Sequence, residues 1–164
     1  MSESKLVSRS EYLSFMDTGT SDSPAFNLMG EGFTSLSESK NPKEYSRQYI
    51  NENTERTDVV GYAPSIAYSL DTYTNNPVIT KICKVTDEEL RGTDAQVDIV
   101  SVNTYETASA SAYPAFKRRY AIIPDGKGDG TDALVYTGNF RAVGDVQPGT
   151  FDLSQKTFTP KSSV

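Results

Sequence analysis

The chain has 164 residues, no histidine, one cysteine and a formal net charge of −6 at pH 7. This length predicts a single domain, residues 1–164, that is large enough to bury its own core. The acidic charge argues against tight sequence-specific binding of nucleic acid, and a lone cysteine excludes an intramolecular disulfide bond. Ser, Thr, Tyr and Val are frequent, which favours sheet over helix.

The N-terminal region contains short predicted strands and no targeting signal. Residues 1–10 are polar and are expected to be flexible. They lack the apolar core of a signal peptide, and no apolar run approaches the ~20 residues of a membrane span. We therefore expect a soluble protein without a membrane partner, made in a reducing cytosol. A first strand is predicted at residues 11–16, and a short apolar run follows at 25–29.

A long polar segment, residues 38–61, lies between two further predicted strands. The strand before this segment contains Phe33 and Leu36. The strand after the segment covers residues 66–71, where apolar and polar residues alternate with the period of a half-buried strand. A polar connection of this length is more often functional or disordered than an idle connector. We interpret residues 38–61 as an assembly arm that a neighbouring copy of the chain orders, with a short strand expected at 45–51.

One helix is predicted, beginning at Asn76 and Pro77. Asn is a good N-cap residue, and Pro is favoured at the first helical position. Thr86 and Glu89 are predicted to form a capping box that restarts the helix at a bend, and Gly92 is predicted to end it. Cysteine is expected here as a packed core thiol. The apolar positions recur at helical spacing and predict a stripe that packs on a sheet: Val78, Ile79, Ile82, Cys83 and Val85.

The second half of the chain alternates predicted strands with turns. Residues 107–112 predict a loop, and the Gly-rich residues 124–132 predict the turn of a hairpin. Each strand of this hairpin is expected to have one apolar face. Tyr120 and Ile122 lie on that face of the first strand, and Tyr136 and Phe140 lie on that face of the partner strand. Phe116 and Leu134 are expected on these same faces. The predicted strands are 95–105, 116–123, 133–143 and 150–158.

Catalytic and metal-binding roles find little support. Without histidine, the usual general base and the Ser-His-Asp and Cys-His nucleophile pairs are missing, so we expect no enzyme, catalytic residue or cofactor. The sequence PDGKGDGTD partly imitates a calcium loop through Asp125, Asp129, Gly130 and Asp132. However, Lys127 occupies the third position of such a loop, where an oxygen ligand is needed. Tyr136 occupies the twelfth position, where a bidentate Glu is needed. A Gly-rich hairpin turn explains the same residues, so no metal site is expected.

The sequence contains a single cluster of basic residues, Lys117, Arg118 and Arg119. On a strand, Arg118 lies on the face opposite to the other two, which divides the cluster. This favours a solvated or salt-bridged strand over contact with DNA. In a ring of subunits, these residues would be available to pair with acidic residues of the next subunit.

Four motifs in a fixed order carry a resemblance to a known family. They are MGEGFTSLSES at 29–39, YINE-x-TERTDV at 49–59, GYAPSI at 61–66 and NNPVI at 75–79. With this order, the chain from about Phe15 to Phe158 resembles the major tail proteins, or tail tube proteins, of long-tailed bacteriophages from Gram-positive hosts. The resemblance is strongest in the first half of the chain, and none of the motifs is catalytic.

The resemblance implies the phage tail-tube fold, a mainly β structure described as a β-sandwich or incomplete barrel with one flanking α-helix. It implies hexameric rings that stack into a tube around a tape-measure protein, with the tail terminator and distal tail proteins as further partners. The genome passes through the tube of the virion, and an acidic lumen would repel its phosphates. The arm then supplies the contacts between rings or subunits, and the candidate interface residues are Tyr45, Arg47, Tyr49, Ile50, Glu52, Glu55, Arg56 and Asp58.

Two other functions fit the same features. The chain could be a related tube component, such as a tail terminator or a contractile-type or secretion-tube subunit. It could also be a monomeric β-sandwich module that binds carbohydrate or a receptor through exposed aromatic residues such as Tyr105, Tyr113 and Tyr136. Nothing in the sequence places these three tyrosines together.

Overall fold

Antiparallel strands make up most of the secondary structure. The computed structural model describes residues 3–20, 22–106, 112–129 and 131–161. Strands hold 52% of these described residues, which confirms the prediction of a mainly β protein with one helix beside a sheet. The helix, α1, covers Pro77–Asp87. The strands of the described residues are β1 Tyr12–Asp17, β2 Phe26–Leu28, β3 Phe33–Ser39, β4 Pro42–Arg47, β5 Arg56–Tyr62, β6 Ser65–Asp71, β7 Gln96–Asn103, β8 Ala112–Asp129, β9 Val135–Ala142, β10 Gln147–Asp152 and β11 Thr157–Pro160.

Nine of these strands form one sheet, in which β8 is the longest. The order is β2-β1-β7-β8-β9-β6-β3, and the hairpin β10–β11 joins through β8. The first part of β8 pairs with β10, from Ala112 to Lys117, and its last part pairs with β9, from Tyr120 to Asp129. Because both partners lie along one edge of β8, this strand connects the main sheet to the C-terminal hairpin. Strands β4 and β5 form a separate two-stranded sheet.

The main core lies between α1 and one face of the nine-stranded sheet. The Asn76 side chain caps the helix as predicted, since its Oδ1 accepts hydrogen bonds from the N–H groups of Val78 (3.1 Å) and Ile79 (3.3 Å). Cys83 is half-buried against this core, and burial raises the pKa of its thiol. Helical spacing on α1 and period-2 alternation on the strands supply the core residues. They include Met16, Tyr68, Leu70, Val78, Ile79, Ile82, Val85, Ile99, Tyr120, Ile122, Tyr136 and Phe140.

A second core lies on the opposite face of β1, β7 and β8, where the hairpin β10–β11 folds over the sheet. Phe151 is its centre and is fully buried. The Phe151 ring centroid lies 4.5 Å from that of Phe15 and 5.8 Å from that of Phe26, the latter in an edge-on arrangement that aromatic rings favour. Val100, Val102 and Ala115 complete the buried cluster. This part of the molecule is therefore built as a sandwich.

The sheet curls so that β1 approaches β3, but the described residues show no backbone pairing between these strands. Arg9 bridges them instead, because its guanidinium donates to the carbonyl oxygens of Tyr12 (2.7 Å) and Leu36 (3.5 Å). The Tyr12 hydroxyl also lies 3.5 Å from the Glu38 carboxylate. The barrel is thus incomplete, and its seam is closed by side chains.

The predicted restart of the helix at Thr86 and its end at Gly92 were wrong. The Thr86 hydroxyl donates to the Ile82 carbonyl (2.9 Å), and the helix ends at Asp87. Glu89 takes a left-handed conformation (φ 50°) and the Leu90 N–H donates to the Val85 carbonyl (3.2 Å), the pattern of a Schellman cap. Packing of Leu90 against the main core accounts for a cap without glycine. Gly92 instead begins a short 3₁₀ turn, Gly92–Ala95.

The predicted turn at residues 124–132 was also misplaced, because β8 continues to Asp129. Two register shifts against β9, after Pro124 and after Lys127, accommodate proline and glycine within the strand. Gly130 and residues 107–111 of the predicted loop lie outside the described residues. In the described residues, no group of acidic or cysteine side chains is placed to hold a metal ion, and no helix is long and apolar enough to cross a membrane.

Leu134 and Phe116 depart from the expected apolar faces of the second half. Tyr136 and Phe140 are buried with Tyr120 and Ile122, as the alternation predicts. Leu134 precedes β9 and is exposed, so the buried face of this strand begins at Tyr136. Phe116 shares a face of β8 with Tyr120, but it is exposed because it lies beyond the part of the sheet that α1 covers.

Candidate assembly surface

The predicted arm is a hairpin that stands apart from the nine-stranded sheet. Its strands β4 and β5 pair from Pro42↔Tyr62 to Arg47↔Arg56, with one register shift after Lys43. The single strand expected at residues 45–51 is therefore displaced towards the N-terminus and has a partner within the arm. Almost every residue of both strands is exposed. Because an isolated two-stranded hairpin is marginally stable in water, other interactions must stabilise this one.

The base of the hairpin is fixed to the start of β6 by Asn41. Its side-chain amide donates to the Ala63 carbonyl (3.0 Å) and to the Ser65 hydroxyl (3.3 Å). The Ala63 N–H donates in turn to the Asn41 carbonyl (3.2 Å). Asn41 has a left-handed backbone (φ 46°), which Asn tolerates better than most residues. These bonds fix the point at which the arm leaves the body.

Arg47 is the centre of a charged and aromatic cluster on one face of the hairpin. Its guanidinium lies 5.0 Å from the centroid of the Tyr45 ring and 5.8 Å from that of Tyr49, distances typical of cation–π contacts. It also forms a salt bridge with Asp58 on the opposite strand. The hydrogen bond from Arg47 Nε to the Tyr49 hydroxyl (3.3 Å) and the contact with Asp58 raise the pKa of Arg47.

A second pair extends this cluster towards the tip of the arm. Arg56 Nη2 lies 2.6 Å from the Glu52 carboxylate, and the Arg56 guanidinium lies 5.4 Å from the centroid of the Tyr49 ring. The Gln48 side chain donates to the Glu52 carbonyl (2.9 Å). Tyr49 therefore lies between two arginines, and each arginine is paired with a carboxylate of the arm.

The structure divides the eight predicted interface residues into two sets. Six belong to the internal cluster, whose contacts hold the hairpin in shape. The other two, Ile50 and Glu55, are exposed near the tip. Ile50 is fully exposed, and Glu55 forms no salt bridge with a described residue. The charged residues of the first set already have partners within the arm. Ile50 and Glu55 are therefore the better candidates for contact with another molecule.

Sequence reasoning missed three further exposed apolar residues on β5. Val59, Val60 and Tyr62 have relative exposures of 52%, 57% and 62%. They were hidden in the sequence because Val59 and Val60 lie within the segment 38–61, which is polar as a whole, and Tyr62 directly follows it. The adjacent valines are a strand signal that would have found them. With Ile50, they give the arm an apolar surface that the described residues of the subunit leave open to solvent.

The basic cluster of β8 is divided in the way that its alternation predicts. Lys117 Nζ lies 3.9 Å and Arg119 Nη1 lies 3.4 Å from the Asp98 carboxylate on β7. Arg118 lies on the other face of the strand. The interpretation as a salt-bridged strand therefore fits Lys117 and Arg119, while Arg118 is in a different environment.

The tyrosines considered for a binding module do not share a surface. Tyr136 is buried in the main core, and its hydroxyl donates to the Asp87 carboxylate (3.1 Å). Tyr113 packs against the second core, on the other face of the sheet. Tyr105 is exposed after the end of β7. This separation removes the aromatic groove on which that alternative depended.

Comparison with known proteins gives a structural match only. No family model matches the chain, and no curated protein matches it. A chain in the cryo-EM structure of the anti-feeding prophage (AFP) baseplate, 6-fold symmetrised, matches with a TM-score of 0.50 and 12% sequence identity. The match covers 90% of this chain and 97% of that chain. At this identity the likeness shows a shared fold over nearly the whole length of both chains.

Proposed function

We propose that the protein is a structural subunit of a phage tail or tail-like particle, which polymerises as stacked hexameric rings into the tail tube. The observation that supports this most is the separate hairpin with exposed apolar side chains. The shared fold with a chain of the AFP baseplate, a phage tail-like particle treated with six-fold symmetry, supports it further. The role is structural rather than catalytic and needs no cofactor.

The arm and the sheet edges give this proposal a physical basis. Exposed strand edges and apolar patches are a liability for a monomer, and contacts with identical subunits turn them into interfaces. An arm on one side of a subunit that contacts a different surface of the next is a heterologous contact. Such contacts close into rings or continue as filaments. A tube of stacked rings contains both kinds of contact, closed within each ring and continuing from ring to ring.

The proposed partners follow from a tube. Identical subunits form the rings, a tape-measure protein fills the tube during assembly, and the tail terminator and distal tail proteins bind its ends. DNA passes through the bore of the virion without specific binding. The net charge of −6 suits this role, because an acidic surface repels phosphate.

Shortening the arm tests this function. Residues 44–60 are replaced by Asn-Gly, which favours a two-residue hairpin turn and retains the pairs Pro42↔Tyr62 and Lys43↔Gly61. We expect a folded subunit that unfolds cooperatively on heating but no longer forms tubes by electron microscopy. Normal tubes from the shortened protein would refute the role of the arm. A wild-type protein that stays monomeric at high concentration would refute the tube itself.

A second candidate is a related tube component that forms a single ring at the end of a tail. The match to a baseplate chain favours it specifically. Negative-stain microscopy of the purified protein separates the two functions. Long bare tubes support the tube subunit, whereas isolated closed rings support the tube-end component.

A further inference from the structure

A recess opens at the end of the barrel from which the arm departs. Two adjoining hollows, of about 360 and 640 Å³, share Arg118 and Val146 in their linings. The first lies between β1, β3, β7 and β8, and the second lies at the base of β5. Helix α1 contacts other residues of these strands, so the recess is the part of the barrel face that the helix does not fill. The recess is therefore open to another molecule.

Arg118 is the unsatisfied charge of this recess. Its Nε atom is buried and has no hydrogen-bond partner among the described residues. A buried donor without an acceptor is costly, and few are left in native structures. Its neighbours on β8 already share Asp98. Two acids line the recess: Glu38 is paired with Lys40 (2.6 Å), and Asp145 forms no salt bridge with Arg118. Arg118 thus lacks a carboxylate.

The rim of the recess is apolar. Phe116, Val143 and Val146 are each more than 40% exposed there, and Tyr62 at the base of the arm is 62% exposed. The surface therefore combines a half-buried cation, whose Nε atom has no partner, with exposed aromatic and aliphatic groups. A segment that carries both a carboxylate and an apolar side chain would satisfy both features.

The tip of the arm is such a segment. Ile50 is fully exposed, and Glu55 forms no salt bridge with the described residues, whereas Glu52 is held by Arg56. The tip is separated from the base by the length of β4, about 20 Å for six residues. The arm therefore carries its tip away from the recess of its own subunit. A second copy of the chain is the partner for which both surfaces are present.

We propose that the recess of one subunit binds the arm tip of another, with the Glu55 carboxylate on the Arg118 guanidinium and Ile50 against Phe116 and Val146. The inference rests on the proposed function, since it names the surface that the arm contacts during assembly. Tip and recess are different surfaces, so each subunit gives one contact and receives one. The contact therefore repeats from copy to copy, as a ring or tube requires.

Charge reversal tests the pairing. Arg118→Glu and Glu55→Arg are each expected to raise the critical concentration for assembly roughly 30-fold or more, because each places two like charges together at the interface. The double variant restores the pair with reversed sign and is expected to recover assembly. The controls Arg91→Glu and Glu31→Arg change exposed residues outside the arm and the recess, and should assemble as wild type does.

Cross-linking keeps the test valid if Arg118→Glu fails to fold. Ile50→Cys and Val146→Cys are combined with Cys83→Ser, and oxidation is expected to give ladders of covalently linked subunits. Absence of ladders from assembled protein would refute the contact. The contact would also be refuted if Arg118→Glu and Glu55→Arg each lost assembly and the double variant did not recover it. If wild-type protein assembles and Arg118→Glu assembles equally well, this inference fails while the tube function stands. If wild-type protein never assembles, the function fails first.

Discussion

Replacing Ile50 by serine separates assembly from folding. The Ile50 side chain is fully exposed in the subunit, with a relative exposure of 108%, so its removal should change the free energy of unfolding by less than about 0.5 kcal/mol. If assembly buries this side chain, the variant loses about 1.5–3 kcal/mol for each contact. That loss corresponds to a critical concentration for assembly about 10- to 150-fold higher than that of the wild type.

The assay is sedimentation of assembled protein across a concentration series, with urea denaturation of the unassembled subunit as the measure of folding. Leu6→Ser is the matched control. Leu6 is 93% exposed and lies in the N-terminal segment, outside the arm and the recess. An Ile50→Ser protein that assembles at the wild-type concentration, or whose defect equals that of Leu6→Ser, would refute the burial of the arm tip.

Two further predictions concern the stability of the isolated subunit. A Cβ at Gly138 would lie 2.6 Å from both the Ile123 carbonyl oxygen and the Tyr68 hydroxyl, so Gly138→Ala should cost about 1–3 kcal/mol in urea denaturation. Tyr68→Phe in the same protein removes only the hydroxyl contact and should recover part of this loss. A cost near zero would contradict this packing. The hydrogen bond from Lys127 holds the pKa of Asp87 below its ordinary value of 3.8. Asp87 therefore contributes stability above about pH 4 that is lost as the pH falls through its folded pKa, and Asp87→Asn should flatten the stability curve in that range; an unchanged curve would contradict the pairing.

Local sequence signals predicted the elements whose cause is local. Asn76 and Pro77 define the start of α1 because capping depends on a few adjacent residues. The end of the helix was not predictable in this way. A left-handed Glu89 has no sequence signal, and it is stabilised by the packing of Leu90 against a core assembled from distant strands. Tertiary contacts therefore decided where the helix ends.

The same distinction holds for β8 and the arm. Residues 124–129 contain proline and glycines, which locally favour a turn, but pairing with β9 through two register shifts extends them as strand. In the arm, the residue types pointed to an exposed and interacting segment. The register that places Arg47 opposite Arg56 and beside Asp58 could not be read from them. Without the register, the eight predicted interface residues could not be separated into those that contact each other within the arm and those that are open to another molecule.

This division changes how an assembly defect should be interpreted. Arg47 contacts two tyrosines and Asp58 within its own hairpin, so its loss would alter the shape of the arm whether or not it contacts a neighbour. A defect at Arg47 therefore identifies a residue that shapes the arm. Ile50 and Glu55 have no comparable internal contacts among the described residues. Only at such positions does loss of assembly with unchanged subunit stability demonstrate a contact between copies, because a substitution there removes no contact within the isolated subunit.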